Sequence, residues 1–118
     1  MAEAPKLPAP NLILQRKWEA MAKYMYSQVL RHMQRLDRST LGVELMQSVW
    51  RTERQIINIA FTSSGREPML RQVDLEAKTI LRMVAIGVEM GSIPHKKYEH
   101  ISALLVEIGK IIGGLLKR

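Results

Sequence analysis

The 118-residue sequence contains no cysteine. That excludes a disulfide framework and a thiolate metal site, and it is compatible with a cytosolic protein. No apolar run approaches the roughly 18 residues that a membrane span requires. The last apolar stretch is broken by Glu107 and Lys110. Residues 1–10 hold three prolines and no apolar core segment, so they lack the form of a secretory signal. No segment sustains alternating apolar and polar residues with β-branched enrichment, so no strand is predicted.

Catalytic and metal-binding patterns are missing too. The three histidines are His32, His95 and His100. His95 and His100 are five apart, the wrong spacing for two ligands on one helical face. No HExxH motif and no carboxylate–histidine cluster accompanies them. His32 projects near the apolar side of its helix, as a core or edge histidine. Glycine-rich phosphate loops follow strands, whereas Gly109, Gly113 and Gly114 sit late in a helical segment. The serines have no base in helical register. The chain is therefore read as a non-enzyme without metal or cofactor.

Acidic residues are outnumbered. Eighteen Lys and Arg face eleven Asp and Glu, a net charge of +7. Such an excess favours polyanions: nucleic acid first, anionic membrane second, acidic protein third. Nucleic acid, RNA or DNA held through phosphates, is the expected partner, and a membrane is not.

What remains is helical. Residues 1–11 form a proline-rich tail of disordered composition, and residues 12–118 form one domain. The pattern predicts a first helix from Leu12 to Leu36, with apolar positions at Leu14, Trp18, Met21, Met25, Val29 and Leu36. Asp37-Arg38-Ser39-Thr40 is the predicted break, with Ser39 or Thr40 as cap. A second helix is predicted from Leu41 to Thr62, closed by Ser63-Ser64-Gly65, with Gly65 left-handed. A third runs to Met90 with Pro68 in its first turn. Gly91 ends it, Ser92 can cap, and Pro94 opens the fourth. Short connections make neighbours antiparallel. The expected fold is all-α, an up-down-up-down four-helix bundle. Glycines 109, 113 and 114 predict close backbone packing or a frayed end, because each costs roughly 1 kcal/mol against alanine.

Helical geometry gives faces. Arg16, Lys17, Lys23, Arg31, Arg35 and Arg38 fall within about 120° of one another on the first helix. Glu19 and Asp37 lie outside that arc, and Tyr24 lies inside it, where a ring could stack on a base. Arg71, Lys78 and Arg82 fall within about 40° on the third, with Asp74 and Glu76 near enough to pair with them. The second helix carries two apolar stripes. One is Leu41, Leu45, Val49, Ile56, Ile59 and Ala60. The other, Val43, Met46, Trp50, Ile57 and Phe61, is offset by about 120°. The outer helix of a monomeric bundle needs one stripe, so the second predicts a subunit contact. Met21, Met25, Met46 and Met83 fall among core positions as gap fillers.

Several stretches carry a family resemblance. They are Trp18-Glu19 with Tyr24 and Tyr26, Leu41-Gly42, Lys97-Tyr98-Glu99-His100-Ile101, and the closing segment from Glu107-Ile108-Gly109-Lys110 through Gly113-Gly114-Leu115-Leu116-Lys117. Together they resemble the accessory variability determinant of diversity-generating retroelements, over about residues 15–117. Leu115 departs from the tryptophan that the family often has after its paired glycines. The resemblance implies a four-helix bundle assembled into a ring of five subunits, a homopentamer. It implies a non-catalytic, bacterial or phage-encoded cytoplasmic protein that binds the element's reverse transcriptase and nucleic acid. In that family the complex copies a template RNA into error-bearing cDNA for mutagenic retrohoming. Arg71, Lys78 and Arg82 match where the family tends to place basic residues. The family encoded in intervening sequences of large-subunit ribosomal RNA genes is also four-helical and would make this an RNA-binding protein; gene neighbourhood separates the two. A general helical interaction module, or a peripheral membrane binder testable by liposome flotation, is the rival from another class.

Overall fold

The computed structural model describes residues 12–118. The predicted tail, 1–11, lies outside them. Four helices follow one another, with no strand among the described residues. Helix α1 spans 12–32: an α-helix over Leu12–Tyr24, a π turn over Met25–Val29 and a 3-10 turn over Leu30–His32. Helix α2 spans 35–60: Arg35–Asp37, a second π turn over Arg38–Gly42, then Val43–Ala60. Helix α3 is Arg66–Glu89 and α4 is His95–Leu116.

Apolar spacing explains the packing. Residues 14, 18, 21, 25 and 29 of α1 are buried, as are 45, 49, 56 and 59 of α2. Residues 70, 73, 77, 80 and 84 of α3 and 101, 105, 108 and 112 of α4 complete one core. Each run steps by three or four, with buried Thr52 filling the gap between 49 and 56 on α2, and so makes one stripe. α1 packs on α2 and α4, α2 on α3, and α3 on α4. No helix is long and apolar enough to cross a membrane among the described residues.

The first break falls earlier than predicted. Met33 and Gln34 take extended backbone, with ψ of 149° and 155°. Leu36 therefore begins α2 rather than ending α1, and it is 72% exposed rather than in the core. Arg35 and Arg38 move to α2 with it. Ser39 and Thr40 lie inside the π turn, and both hydroxyls donate back to the Leu36 carbonyl, so neither caps. His32 is exposed. In α1 the Leu30 N–H reaches both the Met25 and Tyr26 carbonyls. The π turn adds a residue and rotates the following side chains by about 100°. That rotation lets Leu30 bury where an unbroken helix would expose it.

The other connections turn on glycine. Gly65 precedes α3 at φ +70° and Gly91 follows it at φ +79°, both left-handed. After α3 the Ser92 N–H donates to Gly87 O at 2.8 Å and the Gly91 N–H to Val88 O at 3.0 Å, closing the helix end. Ser92 makes no cap hydrogen bond; Pro94 takes the cap position, its carbonyl receiving the Lys97 and Tyr98 N–H groups. The C-terminal glycines lack the predicted tight packing. Nothing lies within 4 Å of a methyl placed at Gly113 or Gly114, and the helix stays regular to Leu116. The tight glycine is Gly87, where a methyl would sit 2.6 Å from Ile93 Cδ1 and 3.2 Å from Leu41 Cδ2.

A carboxyl pair lies on the α1–α2 side. Gln15 Nε2 donates to Glu19 Oε2 at 3.0 Å. Burial, then the hydrogen bond and charge of Glu19, push the Glu53 carboxyl up to about 7. The fold therefore favours neutral Glu53.

Two outcomes follow for stability. Gly87→Ala should destabilise, because overpacking costs about 1–3 kcal/mol and exceeds the roughly 1 kcal/mol gained in propensity. Gly113→Ala, with open space around it, should stabilise by about 0.5–1 kcal/mol; urea midpoints of both variants give the two signs. The Glu53 contribution is fully present below the ordinary carboxylate range and is lost as pH rises through about 7. Glu53→Gln should therefore stabilise the fold at about pH 8 by on the order of 1 kcal/mol given partial exposure, read as a raised melting temperature, and leave it unchanged near pH 4.5.

Candidate nucleic-acid and subunit interfaces

The corner between α1 and α2 shapes an apolar surface groove. Gly42 lies in the second π turn, and a methyl there would stand 3.3 Å from Leu30 Cγ. The missing side chain lets the 3-10 turn at the end of α1 close on the π turn of α2. Tyr26, Leu30, Val43, Met46 and Trp50 then line a groove of about 460 Å³. Arg31 from α1 and Arg38 from α2 border it. Tyr26 is 57% exposed, Trp50 55% and Val43 43%, an apolar surface with no cover in the single chain.

This groove takes in three residues of the second apolar stripe: Val43, Met46 and Trp50. Met46 is buried at the floor rather than presented outward. Ile57 is half-buried, and Phe61, just beyond α2, is 68% exposed. Tyr26 and Leu30 join the groove without any signal in the sequence, because the π turn that aims them has none.

The basic arc is split rather than continuous. Arg16 and Lys23 are exposed on α1, and Arg31 is exposed on its last turn. Arg35 and Arg38 approach from the start of α2. Among the described residues none of these five forms an ion pair. Lys17 differs: its Nζ lies 3.0 Å from Glu107 Oε1, tying α1 to α4. Tyr24 differs too, because its ring stacks on His100 with centroids 4.0 Å apart.

The α3 cations are largely met by their own helix. Arg71 donates through Nε and Nη2 to Glu67 Oε1 at 3.1 and 2.8 Å. Lys78 Nζ donates to Asp74 Oδ2 at 2.7 Å, the local pairing expected for Asp74. Glu76 instead accepts from Ser48 and Arg51 of α2, at 2.7 and 3.3 Å. Arg82 is exposed and has no ion pair among the described residues. Lys78 and Lys110 border a second groove of about 400 Å³ between α3 and α4, floored by Ala77, Leu81, Leu105 and Val106. Exposed i,i+4 pairs contribute a few tenths of a kcal/mol, roughly 0.3–0.5. A phosphate can displace them.

Three or more metal-ligating side chains do not cluster anywhere among the described residues. The arrangement is one of surfaces: an apolar groove bordered by two unpaired arginines, and cations spread along α1 and α3.

Comparison with known proteins returns one family. No curated protein and no solved structure matched the chain. The family model described as bAvd-like matches residues 12–118, the whole of the described helical domain. The family resemblance read from Trp18-Glu19, Tyr98-Glu99-His100 and the paired glycines thus has independent support, and the chain belongs to the bAvd-like family.

Proposed function

We propose that this protein is the non-catalytic accessory subunit of a diversity-generating retroelement. In this reading it assembles into a ring, a homopentamer, and holds the reverse transcriptase and the template RNA or cDNA on basic surfaces. The observation that carries the reading is the family match over 12–118. The unpaired arginines around an exposed apolar groove support it.

The division of labour follows from chemistry. Val43, Trp50 and Phe61 expose apolar surface that a second copy would cover, with Met46 and Ile57 beneath. A closed ring needs two different patches in each contact, so the groove meets another face of its neighbour. Repetition around a ring turns a modest charge per subunit into a multivalent field. Phosphates would be held by Arg16, Lys23, Arg31, Arg35, Arg38 and Arg82, with Arg71 and Lys78 exchanging their carboxylate partners for them and Lys17 more weakly placed. Such contacts position a polyanion without reading its sequence.

Two experiments test these assignments. Trp50→Glu should lower the mass measured by light scattering to that of a smaller species while helicity is kept; an unchanged mass would remove the groove from the subunit contact. Replacing Arg71, Lys78 and Arg82 by alanine should weaken RNA binding and flatten the plot of log affinity against log salt by about 2, since each single-strand phosphate contact contributes about 0.7. Affinity equal to wild type at low salt would sink the α3 assignment.

A further inference from the structure

Tyr24 and His100 meet across the seam of α1 and α4. Their ring centroids are 4.0 Å apart and their planes 22° from parallel. Tyr24 is half-buried and His100 exposed. The phenol ring therefore covers one face of the imidazole and leaves the other toward solvent. The stack is not needed to join the helices: Lys17 bridges to Glu107 on one side of it, and Lys97 Nζ donates to the Gln28 carbonyl on the other.

The surroundings suit a flat ligand. Ala20 lies one turn before Tyr24 and Ala103 one turn after His100, so both fall on the Lys17 side in this antiparallel pair. Both are exposed and short, and they leave the ring edge open. On the other side Lys96 and Lys97 lie one turn before His100, and Lys23 neighbours Tyr24. The carboxylates nearby are engaged: Glu107 by Lys17, and Glu99 by His95 Nδ1 at 3.0 Å.

We infer that the open face of His100, backed by Tyr24, is a stacking platform for an unpaired base of single-stranded nucleic acid, with Lys23 and Lys96 meeting the flanking phosphates. This rests on the nucleic-acid reading above and narrows it. Bases in a duplex are covered on both faces by their neighbours, so a solvent-facing ring selects unpaired ones. Stacking is indifferent to sequence because every base has a π face. The platform therefore distinguishes single strands from duplexes, which the distributed arginines do not.

The test compares His100→Ala and His100→Phe with wild type. The probes are a labelled oligouridine of about 15 nucleotides and an RNA duplex of the same length, read by fluorescence anisotropy. His100→Ala should bind oligouridine about 5- to 150-fold more weakly, the size of one lost base–aromatic stack. It should bind the duplex as wild type does, with an unchanged salt slope. His100→Phe, which keeps a ring over Tyr24, should restore single-strand affinity. Wild-type single-strand affinity in His100→Ala, or an equal loss for both probes in a variant of native melting temperature, overturns the platform. Should His100→Ala fail to fold, a folded His100→Phe with alanine-like loss overturns it as well. If wild type binds neither probe, the nucleic-acid reading itself falls, an outcome distinct from loss of the platform alone.

Discussion

The Trp18 indole fixes how α1 sits on α2. The ring is fully buried, and its Nε1–H donates to the Val49 carbonyl at 3.0 Å. A buried N–H without a partner would cost about 1–3 kcal/mol, so this bond selects one axial register among the many that apolar stripes alone would allow. The rest is geared to it. Lys17 with Glu107, Tyr24 with His100, and Gln28 with Lys97 are successive antiparallel pairings of α1 with α4. A slip of α1 by one turn along α4 would separate all three.

The same constraint explains the corner. With Trp18 held, the last turns of α1 must bring Val29, Leu30 and Met33 onto the core before the chain reverses. The π turn supplies the extra rotation, and the extended pair Met33–Gln34 supplies the reversal. Gly42 in the opposite π turn makes room for Leu30. The groove beside Trp50 is a by-product of that closure. A core solution and a candidate interface therefore share their residues, and changes at Leu30 or Gly42 act on both.

Much of this was readable from residue order. The four helices, the left-handed glycine at 65, the glycine stop at 91, the core stripes and the exposed Trp50 and Phe61 follow from spacing and turn chemistry. The break at Met33–Gln34 was not readable, since neither residue is a turn former and Asp37-Arg38-Ser39-Thr40 looked more like one. The hydroxyls of Ser39 and Thr40 bond backward to Leu36 instead, which a cap pattern cannot distinguish from forward capping. Gly113 and Gly114 drew notice by their number, yet Gly87 is the glycine that packing requires, and only the approach of Ile93 reveals it. The pairing of Tyr24 with His100 joins residues 76 positions apart and needed the α1–α4 register first.

The carboxylates that sit one turn before Arg71 and Lys78 have a kinetic consequence. They are tethered, unlike ions from solution, and cannot diffuse away when a phosphate takes their place. A polyanion held on α3 as proposed would meet a resident competitor at Arg71 and at Lys78, always within reach to recapture the cation. Attachment there is exchange between held and passing anions, with small differences in energy either way. On the proposed reading such a surface would let a strand advance in steps without full release, whereas the unpaired arginines at the α1–α2 corner would hold it without a rival.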